Sequence, residues 1–260
     1  MGLLGDGDPP PVRVLRPDAG SEFLLTADHA GRAIPRRLGD LGVAENERRR
    51  HIAWDIGIAA VTEILSQALD ATAVLQVYSR LVIDCNRQPD WDSSIPTISE
   101  VTAIPGNQVI AAAEREARRR EIFTPYHRQI GELLDRRVSA GRGAILVAMH
   151  SFTPVFKGEA RAVEIGILYN PDERDTRLPH IMLDLLRAEG DLAVGDNAPY
   201  AITAASDYTV PIHGAGRGLP HVEIEIRQDL IGDAEGQAAW AARLARLLPL
   251  AAARLGAGNR

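Results

Sequence analysis

Several apolar runs in this chain end in side chains that can do chemistry. FLLTADHAG leads to His29, LVIDCNR to Asn86 and Arg87, ILVAMH to His150, and HVEIEIR to Glu225 and Arg227. In open α/β sheets ligands gather outside the carboxyl ends of the strands. If these ends meet, they bring together two imidazoles, carboxylates and an arginine fork. Two histidines and a carboxylate with an open fourth position describe a catalytic zinc site. A further carboxylate can then serve as the base toward water.

The elements that must position these residues follow from periodicity and breakers. Strands are expected at Val12–Leu15, Phe23–Thr26, Thr72–Val77, Leu81–Cys85, Ile145–Val147, Ala162–Tyr169, near Tyr208, and at His221–Arg227. Ser151, Thr153 and Pro154 are expected to break the strand that delivers His150. Ala44–Arg50 reads as a short helix. Ile52–Leu69 has helical spacing, with Asp55 in its first turn, where a carboxylate favours the helix dipole. Asn107–Ala140, Arg174–Glu189 and Ala234–Leu255 read as further helices, and the proline-rich 90–106 as a lid or pocket wall. Strands alternating with helices predict an α/β fold, with a mixed, mainly parallel sheet and helices on both faces. Residues 1–11 are expected to be a loose arm, and 12–260 a single catalytic domain.

Composition narrows the function classes. The chain has 260 residues, a net charge of −6 and no basic tract, which argues against nucleic acid as the partner. Lys157 is the only lysine among 29 basic residues. The N-terminus lacks the marks of a signal peptide, no run is long enough to span a membrane, and one cysteine demands no oxidising compartment, so cytoplasm is expected. No G-x-S-x-G elbow or P-loop lysine is present. Cys85 lies mid-run and is expected to be buried and inert. Gly214–Gly218 precedes a strand, the wrong context for a dinucleotide loop.

Five runs in order carry a resemblance: Ala27–Gly31 (ADHAG), His51–Gly57 (HIAWDIG), Ser79–Arg87 (SRLVIDCNR), His150–Pro154 (HSFTP) and Glu225–Ile231 (EIRQDLI). Together they resemble the N-formylglutamate amidohydrolase family over roughly residues 20–232, and more distantly the zinc carboxypeptidases. The resemblance implies a phosphorylase/hydrolase-like, zinc-exopeptidase-like fold and hydrolysis of a small amide that bears a free carboxylate. It also implies one divalent metal, zinc, with His29 and His150 as ligands. Zinc exopeptidases place a glutamate three residues after the first histidine, where this chain has Arg32. Asp55 is the preferred third ligand and Asp28 the alternative. Glu225 is implied as the general base, with Glu223 on the same strand face as its rival. Arg80 would polarise the scissile carbonyl or hold a second carboxylate. Arg87 would grip the substrate carboxylate with Asn86, and Tyr208 and His213 lie in a late loop that would reach the substrate. His51 and His127, in helical segments, are expected to be structural. Two other readings stand beside this one: a related hydrolase of another carboxylate-bearing amide or peptide, and a metal-dependent binding protein without turnover.

Overall fold

Seven apolar runs pair into one sheet in the computed structural model, which describes residues 2–203 and 206–257. The strands are β1 (Val12–Leu15), β2 (Phe23–Ala27), β3 (Thr72–Gln76), β4 (Ile145–Phe152), β5 (Ile165–Leu168), β6 (Val194–Asp196) and β7 (His221–Arg227). Their order is β1-β3-β2-β4-β7-β5-β6. The central strands β3, β2, β4 and β7 run parallel, so their carboxyl ends share one edge. Strand β1 joins β3 antiparallel and β5 joins β7 antiparallel, which makes the sheet mixed.

Both faces are covered. Helices α1 (Ile58–Ala68), α4 (Arg177–Glu189) and α5 (Ala234–Ala257) bury apolar residues against Leu25, Val147, Met149, Ile224 and Ile226 on one face. On the other, α3 (Thr124–Ser139) lays Tyr126, Ile130 and Leu134 over Leu24, Val74 and Leu146. Alternate residues of β2, β4 and β7 therefore feed opposite cores, as the two-residue strand period requires. Helix α2 (Ala112–Arg118) reaches α3 through a π-helical turn, Arg119–Phe123. No helix among the described residues is long and apolar enough to cross a membrane.

The expected α/β architecture is thus present, and several local expectations are corrected. Leu81–Cys85 forms turns. Its apolar side chains are buried, and two of its carbonyls are satisfied by side chains: Asn107 Nδ2 donates to Leu81 O (2.8 Å) and Arg118 Nη1 to Val82 O (2.9 Å). Among the described residues no strand forms near Tyr208; a π-helical turn, Val210–Gly214, follows it. Helix α1 begins at Ile58, so Asp55 precedes it. Gly57 has φ 84°, a left-handed conformation that ends any helix entering from Ile52, and a Cβ there would stand 2.3 Å from Ile231 O. Strand β4 continues through Ser151 to Phe152, so His150 sits inside the strand. The expected loose arm is docked from residue 2 onward. Leu3 is buried, and the Leu3 and Leu4 N–H groups donate to Glu121 Oε2 at 2.7 and 2.8 Å.

Candidate metal centre and active-site cleft

A cavity of about 350 Å³ opens at the carboxyl edge of the central strands. His29, Asp55, Arg80, Asn86, Arg87, His150, Glu223 and Glu225 all line it. His29 lies two residues past β2. The turn that holds it is drawn tight against the chain after β3: a Cβ on Gly31 would stand 1.9 Å from Val77 O. Asp55 is tied to His29 through the backbone, its N–H donating to His29 O at 2.9 Å. Its carboxylate also accepts from Ser151 N at 3.2 Å, which fixes it beside β4. Glu225 is in register with His150 on the adjacent parallel strand.

His29, Asp55 and His150, all buried, form a cluster that could hold a metal ion, their ligand atoms lying within 4.8 Å of one another. The orientation of the rings is informative. His29 Nδ1 lies 3.5 Å and His150 Nδ1 3.0 Å from the same oxygen, Asp55 Oδ2. Each distal nitrogen faces another aspartate: His29 Nε2 is 2.7 Å from Asp84 Oδ1, and His150 Nε2 is 3.3 Å from Asp28 Oδ2. Histidines that ligate metals commonly give their other N–H to a carboxylate, which fixes tautomer and ring plane. Asp28 therefore stands behind His150, and Asp55 stands between the two histidines.

The electrostatics favour added positive charge. Burial and Arg80 push the His29 imidazole down, but Asp84 and Asp55 outweigh them and its pKa is raised. Burial also opposes charging His150, yet Glu223, Asp28 and Asp55 hold its pKa well above the ordinary imidazole range. Burial works against ionising the three aspartates too, but the neighbouring cations prevail. His150 and His29 bring Asp28 down to about 2. Asp55 is lowered by His29 and His150, and Asp84 lies well below the usual range beside Arg80 and His29. His29 Nδ1 is buried with no hydrogen-bond partner among the described residues. A nitrogen donor set, a shared carboxylate oxygen and an excess of buried anionic groups fit a borderline divalent ion such as zinc.

The two glutamates differ in surroundings. Burial pushes both carboxyls up. Glu223 faces His150, Asp207 and Asp28, on the distal side of the imidazole. Glu225 feels His150, Asp55, Arg80 and Arg161, on the open side of the cleft. Glu223 Oε2 and Glu225 Oε2 are both buried without a hydrogen-bond partner among the described residues.

The arginines expected to grip substrate are already engaged. Arg80 donates from Nε (3.1 Å) and Nη2 (2.6 Å) to Asp84 Oδ2, and its Nη1 is 3.8 Å from Asp55 Oδ1. Arg87 lies in a turn, and its Nη1 donates to Asn86 O (3.0 Å), Ser206 O and Asp207 Oδ1 (3.1 Å). Asn86 donates to Asp207 Oδ1 at 3.2 Å and accepts from Tyr208 N and Thr209 N at 3.0 Å. Arg227 turns away from the cleft toward Asp229 and the carbonyls of 161–163.

Tyr208 and His213 do not line the cavity. Tyr208 packs against Phe123 and His127, and His213 stacks on His127 with 3.1 Å between His213 Nε2 and His127 Nδ1. Late-loop position placed them near the site, and their aromatic faces drew them into the core under α3. His127, expected to be structural, is buried with its Nε2 2.8 Å from Cys85 O. Cys85 is buried, and burial raises its thiol pKa well above the usual value. His51, expected in a helical segment, lies instead in turns and lines the cavity beside Glu100 of the expected pocket wall. Asp84 was not expected at the site. The signal was present, since it lies inside the Ser79–Arg87 run, but nothing in spacing shows which imidazole it meets. Tyr200 and Asp207, also cavity residues, lie in a loop without periodic pattern.

The family model for N-formylglutamate amidohydrolase matches residues 21–232. Among solved structures, the gene product Atu2144 from Agrobacterium tumefaciens is 40% identical, with a TM-score of 0.92 over 98% of this chain and 99% of that one. An N-formylglutamate amidohydrolase from Ralstonia eutropha JMP134 is 21% identical, with a TM-score of 0.70 over 95% and 99%, and shares the fold. No curated protein matches.

Proposed function

The chain belongs to the N-formylglutamate amidohydrolase family, a family of hydrolases, and on that premise we propose that it hydrolyses the amide bond of an N-acyl amino acid such as N-formyl-glutamate, releasing formate and the amino acid. His29, His150 and Asp55 would hold one divalent metal ion, zinc by their donor chemistry. The observation that carries this is the convergence of both Nδ1 atoms on Asp55 Oδ2, with an aspartate behind each Nε2. When bound, such an ion supplies Lewis-acid activation of water and of the amide carbonyl.

The remaining steps fall to the protein's own side chains. Glu225 takes the proton from the attacking water and returns it to the leaving amine nitrogen. Its burial raises its affinity for that proton, as a base working near neutral pH requires. Arg80 presents a fixed positive charge at the cleft, held by Asp84, toward the oxygen that becomes negative as the carbonyl is attacked. Asn86 and Arg87 order the Ser206–Thr209 wall through Asp207 and the backbone. Asp84, bonded to His29 Nε2 at 2.7 Å, would fix the tautomer of that imidazole, while Asp28 faces His150 Nε2 at 3.3 Å.

The test is metal analysis of the purified protein together with formate release from a panel of N-formyl amino acids, with and without a chelator. Stoichiometric metal, chelator-sensitive turnover and loss of metal in Asp55→Ala are expected. Turnover that survives complete metal removal would overturn the metal-dependent mechanism, and unchanged metal content in Asp55→Ala would reject that ligand.

A further inference from the structure

The cavity lining carries Asp55, Glu100, Asp207, Glu223 and Glu225, against two arginines that are each already paired with an aspartate. A substrate that bears carboxylates needs a cation with no acid of its own. Arg161 is in that condition. Its guanidinium forms no ion pair with a carboxylate among the described residues. It is held instead by aromatic faces. Its Cζ lies 4.8 Å from the ring centres of Phe156 and Tyr200 and 5.6 Å from that of Phe152. Nη1 donates to the Tyr200 hydroxyl at 2.7 Å. All three rings line the cavity, and the guanidinium they hold stands against that wall rather than in the lining itself.

The backbone beneath Arg161 is also fixed. Its N–H donates to Pro154 O at 2.8 Å, closing the short hairpin Val155–Phe156/Glu159–Ala160, and its carbonyl accepts from Arg227 Nη1 at 3.2 Å. Stacked aromatic rings attract a cation without neutralising it. They also restrict a long side chain before any ligand arrives, which lowers the entropy lost on binding. Arg161 is thus a seated fork with its charge uncompensated, and its field reaches the carboxyl of Glu225.

We propose that Arg161 receives a carboxylate of the substrate, seated by Phe152, Phe156 and Tyr200 at the cavity wall, and so selects acidic N-acyl amino acids over neutral ones. The choice of N-acyl amino acids rests on the function proposed above. The carboxylate site itself does not.

The experiment has a binding arm and a kinetic arm, both on the metal-loaded protein. Glutarate and its uncharged analogue glutaramide are titrated by calorimetry into wild type, Arg161→Met and Arg161→Lys. Losing one charge-assisted fork predicts that Arg161→Met weakens glutarate about 10- to 100-fold and glutaramide much less. Arg161→Lys, which keeps the charge on a similar stem, falls between and covers the case in which the methionine variant does not fold. In the kinetic arm, N-formyl-glutamate is compared with its α-amide and its side-chain amide. The amide on which Arg161→Met changes kcat/KM least identifies which carboxylate the guanidinium meets. Equal weakening of both ligands, no weakening of either, or no glutarate binding by wild type would overturn the proposal. Arginine-dependent glutarate binding without hydrolysis of any formyl amino acid would overturn the reaction proposed above and leave the carboxylate site standing.

Discussion

Asp84→Asn is the sharpest perturbation of the proposed metal centre, because it changes one atom of a saturated carboxylate. Asp84 Oδ1 meets His29 Nε2 at 2.7 Å and accepts from Asn86 N at 2.9 Å. Its Oδ2 accepts from Arg80 at 2.6 and 3.1 Å. The side chain is 5% exposed, so water cannot replace a lost partner. An amide offers one oxygen. If that oxygen faces His29, its NH₂ meets the Arg80 donors. If it faces Arg80, the NH₂ meets His29 Nε2, which must then accept, and the ring proton moves to the Nδ1 that points at Asp55. Either orientation loses at least one charge-assisted hydrogen bond, about 1.5–3 kcal/mol for each. At 1.4 kcal/mol per tenfold that is a factor of about 10–100 in affinity. Loss of an outer carboxylate on a ligating histidine typically costs the same range. The assay is zinc affinity by competition with a chromophoric chelator, on protein whose circular dichroism matches wild type. An affinity within about twofold of wild type would refute the reasoning that Asp84 orients His29 as a ligand.

Three further outcomes follow from the same geometry. Glu225→Gln should retain metal and lose about 10²- to 10⁴-fold in kcat, while Glu223→Gln, on the Asp28 side of His150, should lose less than about tenfold; single-turnover formate release separates them, and the opposite order would make Glu223 the base. In metal-free protein, Glu225 has a raised carboxyl pKa, so it favours the native state below the ordinary carboxylate range and loses that contribution as pH rises through the raised value. The advantage of Glu225→Gln over wild type in urea unfolding should therefore grow by more than about 1 kcal/mol between pH 5 and pH 8, and a constant difference would contradict the raised pKa. Tyr208→Phe should leave kcat/KM within about twofold of wild type, an effect under about 0.5 kcal/mol, because the ring packs against Phe123 and His127 outside the cavity; a tenfold fall would return Tyr208 to the substrate.

Much of this arrangement was legible in the sequence where one short-range rule decides the outcome. The runs that became β2, β3, β4 and β7 are apolar, bounded by breakers, and flank polar residues that meet at one edge. His29, His150 and Glu225 were therefore readable as candidates, and Asp55 through its place in an ordered run. The misreadings share a cause. Leu81–Ile83 has a strand's composition, but Asn107 and Arg118, distant in sequence, satisfy its carbonyls and let it stay irregular inside the core. Arg87 looked like a free fork because Asp207, far along the chain, was invisible as its partner. Arg161 was passed over for the converse reason. What distinguishes it is the missing acid, and no motif encodes an absence.

Strand register has a consequence for when the proposed metal centre can exist. His29 and His150 come from strands β2 and β4, whose pairing sets Thr26 opposite Ala148. Asp55 reaches both only after its loop is fastened to His29 O and Ser151 N. A one-residue slip of β4 would turn His150 toward the opposite core and bring Met149 or Ser151 into its place. The unfolded chain, with the two histidines more than a hundred residues apart, has no such chelate. An ion bound here would select the correctly registered sheet and stabilise it in proportion to the logarithm of free metal concentration. The ion would act as a proofreading ligand for strand pairing, arriving after the fold is set.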